Sequence, residues 1–109
     1  MNNKTQAFEL LQSIIEEAIN MGADIVELEY AYEGMEVTYL VGIRGIGSLL
    51  KDRTLESSII DLIIELAKLQ NKSSGVMKFV IGDKVHRIKV EEYESFGETS
   101  FRLYLPRRI

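Results

Sequence analysis

The chain contains no cysteine. Disulfides, thiolate nucleophiles and cysteine zinc sites are therefore excluded; the expected cytoplasmic location fits this, although an absence of cysteine permits other compartments too. His86 is the only histidine, and no second ligand lies at a spacing that would make it part of a metal site. No apolar run approaches the roughly 20 residues that a membrane-spanning helix requires. The first residues, MNNKTQAFELLQSIIEE, place acids inside an apolar periodicity and lack the unbroken core of a signal peptide. No membrane insertion is expected. Nor is there an excess of positive charge. The formal net charge is -4, which argues against general nucleic-acid affinity.

What is present reads as one globular domain over residues 1–109. Hydrophobic residues make up 46% and charged residues 28%, a balance that can support a buried core. Charge is unevenly spread: residues 1–54 hold nine acids and four bases, residues 55–109 eight acids and nine bases.

Thr5 to Met21 repeats apolar residues at helical spacing (Phe8, Leu11, Ile15 and Ile19 among them), and Gly22 stands where a helix stops. DIVELEYAYEG then alternates, with Val26, Leu28, Tyr30 and Tyr32 on one strand face and Glu27 and Glu29 on the other. Glu33-Gly34 suggests a hairpin turn, after which Val37, Tyr39, Val41 and Ile43 continue the apolar face. A second helix is expected from about Leu55 to Gln70, capped by Asp52 or Thr54. Its apolar residues exceed one stripe, so it is covered on more than one side by its own domain or a partner. VMKFVI and KVHRIKV form a hairpin around Gly82-Asp83, and after the break ESFGE a last strand, TSFRLYL, follows. The expected fold is α+β: an antiparallel sheet of about five strands with both helices on one face, in the order α-β-β-α-β-β-β.

VGIRGIGSLL, Val41 to Leu50, contains three glycines. A phosphate-binding loop needs GxxxxGK[ST], whose lysine neutralises the phosphates and whose hydroxyl helps hold magnesium. Neither residue is in place here. A dinucleotide site needs GxGxxG between a strand and a helix of a parallel unit, whereas this spacing is GxxGxG after a hairpin. The simpler reading is a strand end and turn needing positive φ. No catalytic, metal or cofactor-binding residue is expected, and the chain reads as no enzyme.

With Gly82-Asp83 as a two-residue loop, His86 faces Phe79 and lies on the apolar side as a packed or edge histidine. Glu27 and Glu29 have no nucleophile or base beside them and read as a solvated outer face. Tyr30, Tyr32 and Tyr39 read as core aromatics with wet hydroxyls. The opposite face of the later hairpin carries Val76, Lys78, Val80, Val85, Arg87 and Lys89, with Arg102 and Tyr104 extending it. Bases mixed with valines suit an acidic, partly apolar protein partner, the alternative being an ordinary solvated sheet face. RNA binding is the weaker option, because no RNP-type signature accompanies the bases.

GADIVELEYAYEGMEVTYLVGIRG resembles the segment that assembly ATPases of type II secretion and type IV pili carry ahead of their motor domain. The family pattern there is GASDIH, an acidic residue near the strand end, an EDG-like turn, and a strand ending RYRIDG. Further on, SSGVMKFVIGDKVHRIKVE parallels that family's glycine, hairpin and following strand. GETSFRLYLPRR parallels the ending that precedes the ATPase core. The resemblance covers about residues 10–106.

There are departures from the pattern. Val26 stands where the family has histidine, and the acid of RIDG has no counterpart if Arg44-Gly45 aligns with Asp-Gly. Thr38 and Leu40 replace the family's arginines and inherit no nucleotide-contact role. The chain stops where the ATPase core would begin, so it is a free-standing relative of the N-terminal, PAS-like module or an excised piece, the starting methionine favouring the first. The resemblance implies a non-catalytic interaction or assembly module that docks to its own copies, as a homo-oligomer, or to a secretion or pilus ATPase. The alternative is a PAS-like small-molecule sensor, since a curved sheet covered by helices can enclose a pocket.

Overall fold

A computed structural model describes residues 3–106. The chain forms α1 (Asn3–Met21), β1 (Ile25–Ala31), β2 (Gly34–Val41), β3 (Arg44–Leu50), α2 (Arg53–Ala67), β4 (Ser74–Ile81), β5 (Lys84–Ser95) and β6 (Glu98–Tyr104). The strands make one antiparallel sheet in the order β3-β2-β1-β6-β5-β4. Both helices pack on the same face and on each other. The fold is α+β, as the sequence predicts.

One strand separates expectation from structure. Residues 44–50, expected as a turn, form β3, so the order is α-β-β-β-α-β-β-β with six strands. The turn is confined to Gly42 and Ile43, since Val41 already pairs with Arg44. Gly42 has φ 61°, which suits the first position of a two-residue hairpin loop whose twist matches its strands. Gly82 repeats this with φ 66° in the β4–β5 loop. Glycines inside a strand lower its propensity, and Gly45 and Gly47 hide β3 in the sequence. Ile43, expected on the apolar face, sits in the turn and is fully exposed. The β1–β2 turn is likewise centred one residue earlier than expected, on Tyr32-Glu33, because Ala31 pairs with Gly34.

The helices end as their sequences direct. Asp52 caps α2, its Oδ1 accepting from the Leu55 N–H at 3.0 Å; the helix ends at Ala67, three residues before the expected Gln70, and Lys68 closes it in the left-handed conformation. Two glycines mark close approaches instead of turns. A Cβ at Gly34 would strike the Leu50 carbonyl, and one at Gly75 the Ala67 carbonyl where α2 meets β4.

Val26, Leu28, Tyr39, Phe79, Ile88, Phe101 and Leu103 are buried together on the helix-covered face, and Val41 packs beside them half-buried. Ile59, Leu62 and Ile63 of α2 are buried, and Leu55, Ile60, Ile64 and Leu66 pack against the same core. The apolar surplus of α2 is thus absorbed within the chain. Among the described residues none of its large apolar side chains is exposed.

Candidate functional site: the uncovered sheet face

No helix covers the second face of the sheet. Strand alternation places every other residue there, and the registers arrange them in rows across the strands. Lys78 of β4 stands opposite Arg87 of β5. Val76 pairs with Lys89, and Lys89 with Tyr104. Next comes Glu91–Arg102–Glu27–Thr38, and then Tyr93–Ser100, with Glu29 opposite Glu36 on β1 and β2.

All five residues proposed from sequence as a partner surface lie on this face, in two different situations. Lys78 and Arg87 are exposed and make no ion pair with any described residue. They stand among Val76, Val80 and Val85, which are 52%, 59% and 61% exposed. Lys89 leans over the Tyr104 ring at 5.6 Å. Arg102 and Tyr104 are engaged within the sheet. The Arg102 Nε donates to Glu27 Oε2 at 2.9 Å and its NH1 to Glu91 Oε1 at 3.4 Å, while its guanidinium stacks on the Tyr93 ring at 4.3 Å. The Tyr104 hydroxyl donates to the same Glu91 oxygen at 3.1 Å.

The electrostatics of this centre follow from its packing. Burial raises the Tyr93 phenol above its ordinary value, and the Glu29 and Glu27 carboxylates add to the effect. Burial and then Glu91 raise Tyr104 in the same direction. The hydrogen bond to Glu27 holds Arg102 more firmly protonated. Among the described residues the Ser100 Oγ is buried without a hydrogen-bond partner, and the buried Tyr93 hydroxyl has the Glu29 carboxylate near it. Glu27 and Glu29 therefore do more than face solvent: Glu27 anchors Arg102, and Glu29 accepts from Ser95 Oγ at 3.2 Å.

At the far corner an open cleft of about 430 Å³ is lined by Glu29, Tyr30, Ala31, Tyr32, Glu36 and Phe96. Sequence reasoning missed this corner. Tyr32, expected in the core, is 91% exposed at the β1–β2 turn, and Phe96 is 94% exposed at the β5–β6 turn. Tyr30 is half-buried beneath the Arg53 guanidinium, which sits 4.4 Å from its ring centre. Phe96 has φ 55° and Gly97 φ 76°, the two left-handed positions of a tight hairpin loop. The sequence signal was Phe96-Gly97 between polar residues, which reads as a turn but does not reveal that the ring is displayed.

The remaining candidates are placed as follows. Residues 42–48 run through a turn into an edge strand rather than into a helix N-terminus. His86 is half-buried opposite Phe79 on the helix-covered face. Among the described residues no three His, Asp or Glu side chains are grouped to hold a metal, and no helix is long and apolar enough to cross a membrane. Arg107 and Arg108, which end the last quoted family segment, lie outside the described residues.

A six-stranded antiparallel sheet with two helices on one face and the other face open defines an α+β domain of a recognisable kind. Domains of this fold occur in an ATPase and in a pilus motor of known structure. The ATPase DotB of Legionella pneumophila matches with a TM-score of 0.56 and 14% identity over 88% of this chain. The pilus retraction motor PilT, in a structure with bound ADP, matches with a TM-score of 0.50 and 23% identity over 90%. The chain spans only 28% and 29% of those proteins. At these identities the likeness is one of fold. No protein-family model and no curated protein matches the chain.

Proposed function

We propose that this chain is a non-catalytic docking module, built like the accessory domain of secretion and pilus ATPases, that uses its open sheet face to bind protein. The observation that carries the reading is the patch of exposed Lys78 and Arg87 among three exposed valines on a face no helix covers. Charged groups mixed with apolar area suit a protein surface, where charge sets orientation and association rate and apolar burial supplies affinity. The fold likeness to an ATPase and a pilus motor supports a partner of that class. The non-catalytic part of the reading rests on residues 42–49, where Ser48 stands in place of the lysine and Leu49 in place of the hydroxyl of a phosphate loop. The module acts in the cytoplasm, without a cofactor.

The test is co-sedimentation with a secretion or pilus ATPase encoded in the same genome, beside calorimetry with ATP. Capture of the ATPase, weakened by Arg87→Glu, and no heat of ATP binding are expected. Micromolar affinity for ATP would overturn the non-catalytic reading. Capture that ignores Arg87→Glu would remove this face as the docking surface.

A further inference from the structure

The charges of the open face are matched at its centre and mismatched at both ends. In the middle, Arg102 lies between Glu91 and Glu27 and bonds to both. At one end two cations, Lys78 and Arg87, stand directly opposite each other on neighbouring strands. At the other end two carboxylates, Glu29 and Glu36, do the same. Like charges in directly opposed positions destabilise a sheet. Neither pair is relieved by an ion pair with any described residue. The end that holds the carboxylates also displays Tyr32 and Phe96 to solvent. Phe96 does so from a left-handed backbone position that disfavours a bulky side chain. Each end thus carries a local cost, and each has the charge the other needs.

Following the pairing from Arg87 to Glu29 takes three alternate-residue steps along the strands, about 20 Å, and two strands across, about 10 Å. Its midpoint falls on β6 between Arg102 and Tyr104, the neutralised centre. A face with this layout is self-complementary under a two-fold axis parallel to the sheet. Resting on the reading of this face as a docking surface, we infer that in the free module the face is occupied by a second copy of the chain, bound face to face, which an ATPase partner has to displace. The Lys78–Arg87 corner of each copy then sits on the Glu29–Glu36 cleft of the other. Such an isologous contact forms each pairing twice. The valines beside Arg87 meet the exposed rings of Tyr32 and Phe96, on which a guanidinium can also stack. The two ends lie farther apart than the ~8 Å screening length at physiological salt, so they act as two separate anchors.

Sedimentation velocity of the wild-type chain, Arg87→Glu, Glu29→Lys and an equal mixture of the two variants tests this. Wild type should dimerise, and added salt should weaken the dimer. Each variant alone should lose roughly tenfold or more in dimer affinity, because a like charge then faces each corner. The mixture should recover the wild-type affinity, since every corner again meets its opposite. Thermal melts should show Arg87→Glu as stable as wild type, because the exchange turns a like-charged cross-strand pair into an opposite one, and Glu29→Lys folded with at most the small loss of the Ser95 hydrogen bond it gives up. A monomeric wild type, variants that dimerise unchanged, or a mixture that fails to recover overturns the inference. A monomer that still captures the ATPase through Arg87 would overturn it while leaving the docking function standing. A dimer with the recovering mixture but no ATPase capture would do the reverse.

Discussion

At the scale of single residues, Arg53 carries more of the structure than its sequence position suggests. Its guanidinium donates to the carbonyls of Ala31, Tyr32 and Gly34 and to Glu56 Oε1, at 2.6, 2.7, 3.3 and 2.8 Å. It thereby ties the β1–β2 turn to the first turn of α2. Glu56 is 5% exposed, so Arg53→Ala would leave its carboxylate buried and unpaired. A loss of about 2–3 kcal/mol is expected in urea unfolding, below the cost of a fully buried pair because Arg53 is partly solvated. Glu56→Gln, whose amide oxygen still accepts, should lose less. Ser100 predicts the opposite sign. Its hydroxyl is buried without a partner among the described residues, so Ser100→Ala should leave stability unchanged or raise it by up to about 1 kcal/mol. A clear loss would mean that an ordered water or a neighbouring group serves this oxygen. Tyr39 predicts a pH dependence. Burial, then the charge of Glu17, pushes its phenol from 10.0 up to about 12. Folding therefore favours the neutral phenol. Its contribution to stability is complete below about pH 10 and is lost as pH rises through about 12. Tyr39→Phe should flatten that part of the stability–pH curve, measured by urea midpoints at stepped alkaline pH.

At the scale of elements, what the sequence revealed and what it hid have the same physical origin. Both helices and five strands were legible because apolar residues recur at the period of each element, and a one-residue slip would have moved Val26, Leu28 and Tyr39 off the core face. The third strand was not legible. Gly45 and Gly47 have no side chains to alternate, and most of this edge strand is exposed. A usable signal existed in the likeness of Val41-Gly42-Ile43-Arg44 to Ile81-Gly82-Asp83-Lys84, two loops opened by a left-handed glycine. The basic corner was legible because alternation in a hairpin fixes which side chains share a face. The acidic-aromatic corner was not, because it joins two turns distant in sequence, and only the β1–β6 pairing brings their strands together. The β5–β6 turn carries its own prediction. Two left-handed positions favour Asn-Gly, so Phe96→Asn should stabilise the hairpin by roughly 0.5–1 kcal/mol. The same substitution should weaken the face-to-face dimer. Stability and association moving in opposite directions would show that the ring is kept for contact, whereas a destabilised variant would show that it supports the fold.

At the scale of the whole molecule, each half of the chain supplies one helix and three consecutive strands, and the sheet order joins them at a single seam. That seam is the pairing of Ile25–Leu28 in β1 with Phe101–Tyr104 in β6, reinforced by α1 against α2 above it. Neither half can cover its apolar strand face alone, since α2 reaches both β2 and β4. The chain should therefore unfold as one cooperative unit. Leu28 and Phe101 stand directly opposite each other at the seam and are both 0% exposed. Leu28→Ala should cost about 2–5 kcal/mol and Phe101→Ala about 3–5 kcal/mol, a large part of the roughly 5–15 kcal/mol typical of a domain. Because the two side chains line one space, the double substitution should differ from the sum of the singles by about 0.5 kcal/mol or more. Urea unfolding followed by far-ultraviolet circular dichroism and by tyrosine fluorescence would measure this. Coincident transitions in wild type and both single variants would establish the seam as part of one core. Two separate transitions would show instead that the halves are independent units, with the open face assembled only when they meet.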